Sequence, residues 1–363
     1  MSKRVAIFVL LFLLFNSCQK KGSVDIKAVP PVVPPSYIPP PAVYPGYVLV
    51  WNDEFNGSAI DLTKWTIEAG TGLNGDFGTG QLDRATERSE NVKIAGDMLN
   101  AGGGCLALIT RKETYVDRNF TSARLNTGFT GSYGPGYRIE ARIWPRDVRY
   151  KGQGFAFWMM PAEKPPNVAS IMWPQGGEID IMEYTGSIPG SNLGSVHYAW
   201  SWENNLYQSW NHGHQGAYYS YKDKEVPKVN PGYGGWPVAA EDSTAGSGGF
   251  HIYRLDWFSE RLEFVIDNNL YHIHYFNDGA AFNNGIPDGQ DQAAVVNTDG
   301  MRVFKSENSN HFPEWSPFEH NFYILLTAGV GGNDNLTYGG AITQDAVFPC
   351  STFIDWIRVY KRQ

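Results

Sequence analysis

The feature that most constrains this chain is a succession of short apolar or alternating runs separated by turn residues, with no apolar stripe at helical spacing. The runs are YVLVWNDEF (47–55), CLALITRKE (105–113), YRIEARIW (137–144), GFAFWMM (154–160), GEIDIMEY (177–184), SVHYAW (195–200), FHIYRLDWF (250–258), LEFVIDNNLYHIHYF (262–276), NFYILLTAGV (321–330) and FIDWIRVYK (353–361). They are rich in β-branched and aromatic residues, which suit a pleated surface. In the longest, Asp267-Asn268-Asn269 separates two strand-like halves with residues that tolerate positive φ, which predicts a tight hairpin. Many antiparallel strands without intervening helices predict an all-β fold, a two-sheet antiparallel β-sandwich or jelly roll, and exclude a helical bundle.

The N-terminus has a different character. Lys3 and Arg4 precede an apolar run from Val5 to Phe15 and then Asn16-Ser17-Cys18, the pattern of an export signal. The run falls short of the roughly 20 apolar residues that span a bilayer, so cleavage is expected. A small residue before a cysteine resembles a bacterial lipobox, which would make Cys18 the lipidated first residue of the mature chain. Phe15 and Asn16 depart from the usual pattern and leave an uncleaved anchor or a secreted form open. The expected location is the bacterial cell envelope, with the chain lipid-anchored at the outer membrane or cell surface, or secreted. Residues 19–46 form a linker whose stretch from Ala28 to Pro45 is proline-rich and favours an extended rod, a spacer between anchor and folded domain. No second linker or repeat interrupts 47–362, which is assigned as one domain and a monomer.

With 29 Lys and Arg against 37 Asp and Glu, the net charge of −8 offers no basic patch for phosphates, and nucleic acid is excluded as a partner. Contact with a membrane is expected only through the lipid anchor. Beyond Cys18, Cys105 and Cys350 could be bridged in an exported protein or remain two buried thiols. The histidines show no zinc-site spacing, and His212 and His214 read as polar loop residues.

Chemistry concentrates in Gly176-Gly177-Glu178-Ile179-Asp180-Ile181-Met182-Glu183-Tyr184. Strand alternation puts Glu178 and Asp180 on one face and Ile179 and Ile181 in the core, while Glu183 breaks the parity. A β-bulge near Ile181-Met182 would return Glu183 to the face of the other two. A row of like charges is costly, and a merely solvated strand would intersperse Lys, Thr or Ser. Paired carboxyls are what glycosidic cleavage needs, one to attack the sugar carbon and one to protonate the departing oxygen. Asp180 between them would orient Glu178 and help set which carboxyl stays protonated. Trp158, Trp173 and Trp200 lie on or beside the neighbouring strands, where indole faces suit sugar rings or simply pack the core.

The stretch Trp173-Pro174-Gln175-Gly176-Gly177-Glu178-Ile179-Asp180-Ile181-Met182-Glu183 resembles the active-site signature of glycoside hydrolase family 16, in its laminarinase-like and mixed-linkage β-glucanase branch. VWNDEFNG (50–57), TSARLNTG (121–128), LTAGVGGN (326–333) and FIDWIRVY (353–360) carry the resemblance along nearly the whole domain. It implies a concanavalin A-like β-jelly roll with an open cleft on its concave sheet. It also implies a retaining endo-hydrolase of β-1,3- or mixed β-1,3/1,4-glucan, a neutral polysaccharide, with Glu178 as nucleophile, Glu183 as acid/base and Asp180 as their helper. Trp173 and Trp158 would line glucose subsites, with Arg124 and His197 supplying hydrogen bonds and Trp200 nearby. No cofactor is implied for catalysis, and Asp355 matches an aspartate that binds a structural calcium ion in many members.

Two departures stand out. Gly80-Gln81-Leu82-Asp83-Arg84-Ala85-Thr86 replaces a cleft segment of Asn-Glu-Leu-Gln-Tyr-Tyr-Thr type, with loss of aromatic and amide groups. The stretch from Ser201 to Gly249 reads as a long aromatic-rich loop that could wall one end of the cleft. A red-algal galactan hydrolase of the same family and a non-catalytic carbohydrate-binding jelly roll stay open as alternatives. The first fits the Trp173-Pro174 lead-in and an acidic chain poorly, and the second has no need of three clustered carboxyls.

Overall fold

The computed structural model describes residues 41–96, 98, 103–128, 131–164, 173–174, 176–199, 202–203, 206–207, 212–227, 248–276, 292–307, 316–332 and 339–363. Residues 1–18 with Cys18, expected to be a signal segment, most of the expected linker 19–46, and Trp200 lie outside them. The described residues fall in one compact unit, Ser36–Gln363. Tyr44 belongs to the folded body, three residues before the expected start at Tyr47. Its hydroxyl donates to Glu140 Oε2 at 2.9 Å, and its ring meets that of Tyr360 edge-on.

Strands pair in two ladders. One runs, in spatial order, His212–Ser220, Ser191–Ala199, Glu178–Thr185, Gln153–Pro161, Phe322–Val330, Arg118–Asn126 and Thr66–Glu68, all antiparallel. The other runs Tyr47–Asp53, Cys350–Arg362, Tyr137–Trp144, His251–Trp257, Arg261–Ile266 and Asn269–Tyr275. It is extended by a parallel pairing to Met301–Glu307 and then by Gln292–Thr298. The strand Cys105–Tyr115 joins the two: Leu106 to Thr110 pair with the Cys350–Arg362 strand, and Arg111 and Lys112 pair with Arg118–Asn126. Nineteen described strands are therefore one hydrogen-bonded network bent into two layers, and the only helical turns among the described residues are the short segments Leu73–Gly75 and Pro317–Glu319.

Alternation sets which side chains meet between the layers. Phe155, Phe157 and Met159 of the first ladder and Ile139, Ala141 and Ile143 of the second share one buried core. The alternate residues of the first ladder, Ala156 and Trp158 among them, face outward over a pocket. The hairpin at Asp267-Asn268 forms as expected, with φ of 49° and 69° and Ile266 paired to Asn269.

Three expectations change. His212 and His214 are not in a loop: they lie on His212–Ser220, which pairs residue by residue with Ser191–Ala199, so the stretch 201–249 contains the end strand of the first ladder. Arg118–Asn126 is also a strand, although its polar composition gave no apolar run. Cys105 and Cys350 do not form a disulfide. The register places Cys350 opposite Thr110, five positions along the strand from Cys105, roughly 17 Å and far beyond the 7 Å limit for bridging.

Candidate active site

The strand Glu178–Thr185 is bulged where parity required it. Toward Gln153–Pro161, Asp180 faces Trp158 while Met182, two residues on, faces Phe157, the very next position. Toward Ser191–Ala199, Asp180 faces Ser195 and Glu183 faces Leu193, three residues against two. The extra residue lets Ile181 and Met182 both enter the core and returns Glu183 to the outer face. Glu178, Asp180 and Glu183 thus line one pocket with Trp158, Arg124 and Thr327.

Neighbouring strands hold each acid. Ser195, directly across from Asp180, has its hydroxyl oxygen 2.8 Å from Asp180 Oδ2 and 3.1 Å from Glu183 Oε2. His197, across from Glu178, brings Nε2 within 3.3 Å of Asp180 Oδ2 and 4.0 Å of Glu178 Oε1. The Trp173 indole donates to Glu178 Oε2 at 2.7 Å, with its ring 5.7 Å from that of His197. Trp158 is fixed edgewise by its Nε1 donating to Thr327 Oγ1 at 2.9 Å. Arg124 donates to Glu68 Oε2 at 2.9 Å and lies 4.9 Å from the Trp158 ring centroid, a cation–π contact that braces the pocket wall.

The electrostatics follow from crowding. Burial first, and then the charge of Asp180, raise both Glu178 and Glu183 above the usual carboxylate range. Burial alone would lower His197, but its hydrogen bond to Asp180 and the charges of the three acids outweigh that and lift it to about 9. One cation is therefore set among three acids that cannot all ionise cheaply, an arrangement suited to keeping one proton on the row at neutral pH.

The sequence-derived residues Glu178, Asp180, Glu183, Trp158, Trp173, Arg124 and His197 come together here. Other residues of the site escaped the sequence reading. Ser195 and Thr327 are ordinary strand residues made relevant only by cross-strand register. Gln81 lines the pocket from the segment expected to lack aromatic and amide groups, and Phe77 lines it from three residues before that segment, so both kinds of group are present, the aromatic one displaced along the chain. Gly329 makes room for the Gln81 carboxamide, because a Cβ there would stand 2.4 Å from Gln81 Nε2.

Glu178, Asp180 and His197 each place a donor atom within 4.8 Å of the others. Trp173 and Ser195 each donate to one carboxylate oxygen of this trio and His197 Nε2 lies 3.3 Å from Asp180 Oδ2, so its groups are already bonded to one another as an acid site. Asp355 does not fit a calcium ion. Its Oδ2 accepts from Arg142 Nη1 at 2.6 Å, and the nearby carboxylate of Glu54 is gripped by Arg358 at 2.7 Å, so guanidinium groups already supply the positive charge.

No family model matches the chain. Among curated proteins it is similar to the glucan endo-1,3-beta-glucosidase A1 of Niallia circulans, 25% identical over 335 residues, which are 88% of this chain but 38% of that protein. It is 28% identical to the beta-glucanase of Rhodothermus marinus, over 87% of this chain and 86% of that one. Among solved structures, the endo-beta-1,3-glucanase from Pyrococcus furiosus superposes with a TM-score of 0.59 at 27% identity, covering 87% of this chain and 94% of its own. A non-specific endo-beta-1,3(4)-glucanase from family GH16 superposes with a TM-score of 0.58 at 25% identity, covering 89% and 94%. A bent two-layer β-sandwich, a bulged strand presenting three carboxyls, and these relatives agree: the chain is similar in sequence and fold to laminarinase-like glucanases of family GH16.

Proposed function

We propose that this chain is an endo-acting, retaining β-glucan hydrolase that cuts β-1,3 or mixed β-1,3/1,4 chains. The observation that carries the reading is the bulge, which sets Glu178, Asp180 and Glu183 on one face of a single strand beside Trp158 and Arg124. Glu178 attacks the anomeric carbon and forms a glycosyl ester, while Glu183 gives its proton to the departing glycosidic oxygen. Glu183 then takes a proton from water, whose oxygen displaces Glu178 and restores the carboxylate. Asp180, with His197 on its Oδ2, holds the row in register between the two steps. Trp158 and the half-exposed Trp173 offer flat apolar faces to sugar rings. Activated water and carboxyls suffice for this chemistry, so no cofactor enters it. The signal segment ending at Cys18 supports placement in a cell envelope, outside the cytoplasm.

The test is reducing-sugar release from laminarin, barley β-glucan, lichenan, agarose and carrageenan side by side. The reading expects release from the glucans, with Glu178→Ala and Glu183→Ala each slower by several orders of magnitude yet still binding the polysaccharide. Release from the galactans alone, or more than about a tenth of the activity in either variant, would reject it.

A further inference from the structure

We infer that Ser195 is a positioning residue whose hydroxyl turns between Asp180 and Glu183 as the acid gives up and regains its proton. The inference rests on the hydrolase reading above and goes beyond it.

Ser195 is buried to 1% exposure directly across the strand from Asp180, and its oxygen lies 2.8 Å from Asp180 Oδ2 and 3.1 Å from Glu183 Oε2. A hydroxyl has one proton to donate and lone pairs to accept with. Two ionised carboxylates cannot both be satisfied by it, so the geometry is fully bonded only when one of the two carries a proton. With Glu183 protonated, Glu183 donates to Ser195 and Ser195 donates to Asp180, a two-bond chain. Once Glu183 has passed its proton to the leaving oxygen, the serine hydrogen rotates to Glu183, leaving Asp180 to His197 at 3.3 Å. No proton leaves Ser195 and no bond to it forms or breaks. The other groups facing the pair are Glu178 on the same strand, His197 and its cross-strand neighbour His214, Arg124, Tyr218 and Tyr271. Ser195 hydrogen-bonds both carboxyls.

The bond that Ser195 donates to ionised Glu183 is charge-assisted and draws that carboxyl down, against the burial that raises it. Ser195→Ala should therefore move the alkaline limb of kcat/KM on a β-glucan to higher pH by about one unit and lower kcat about tenfold or more, with KM little changed. Ser195→Thr, which keeps the hydroxyl, should restore the limb. Carbon NMR titration of the labelled glutamate carboxyls, which needs no turnover, should show the same upward shift in Ser195→Ala. An unmoved or downward-moved limb and titration in Ser195→Ala, or a Thr variant that behaves like Ala, would overturn the inference while leaving the hydrolase reading intact. An unmutated chain inactive on every glucan would instead overturn the reading itself, and this inference with it.

Discussion

The indole N–H of Trp173 donates to Glu178 Oε2 at 2.7 Å, although Trp173 is itself 48% exposed. A single side chain thus presents an aromatic face at the pocket rim and holds one oxygen of the proposed nucleophile, leaving the other oxygen toward the anomeric carbon. Trp173→Phe keeps much of the face and removes the donor. Steady-state kinetics should show kcat reduced about tenfold with a smaller change in KM, the signature of a lost interaction that matters more in the transition state. A change confined to KM would make Trp173 a binding surface only.

The pH profile follows from the crowding of the acids. Because burial and Asp180 raise both Glu178 and Glu183, activity against pH should be bell-shaped. Its acid limb reports the first ionisation of the coupled pair and its alkaline limb the second, and the alkaline limb should stand well above the ordinary range of about 4 for carboxylates. A profile flat from pH 5 to 9 would contradict this.

The same crowding costs stability. A carboxyl whose folded pKa is raised contributes fully below its unfolded value, near 4.5, and loses that contribution as pH rises toward the folded value. Glu183→Gln should therefore melt a few degrees above the unmutated protein at pH 8, with the gain vanishing near pH 4. Equal melting temperatures at pH 8 would show that the row is not strained.

How far the sequence revealed this arrangement depended on the kind of signal. Glu183 falls out of step with Glu178 and Asp180, and that arithmetic alone required the bulge at Ile181-Met182. Asp267-Asn268 announced its hairpin through residues that accept positive φ. Arg118–Asn126 gave no such cue, because its outward residues are polar and its inward Ala123 and Leu125 are too few to form a run. It nonetheless carries Arg124 into the pocket. Ser195 was invisible for a different reason: its role comes from lying opposite Asp180, and register across strands is written in no local pattern.

A second pH dependence comes from the core. His272 and His274 are fully buried, each ring bonded to Ser306 Oγ at 2.9 Å. Burial holds His272 down at about 3 and His274 well below its ordinary value. Their contribution to stability is whole above pH 6.5, the unfolded value, and is lost as pH falls toward 3, at about 1.4 kcal/mol per pH unit for each proton. Chemical denaturation between pH 7 and 4 should show this slope, and His272→Gln should flatten it. An unchanged slope in the variant would place the acid sensitivity elsewhere.

The most direct test of the account is the stereochemistry of the first turnover. If Glu178 forms a glycosyl ester that water later opens, two inversions leave the product with its starting configuration. Proton NMR of a β-glucan oligosaccharide in the first minutes of reaction should then show the β-anomer of the new reducing end growing in before mutarotation. An initial α-anomer signal would contradict the assignment of Glu178 as nucleophile.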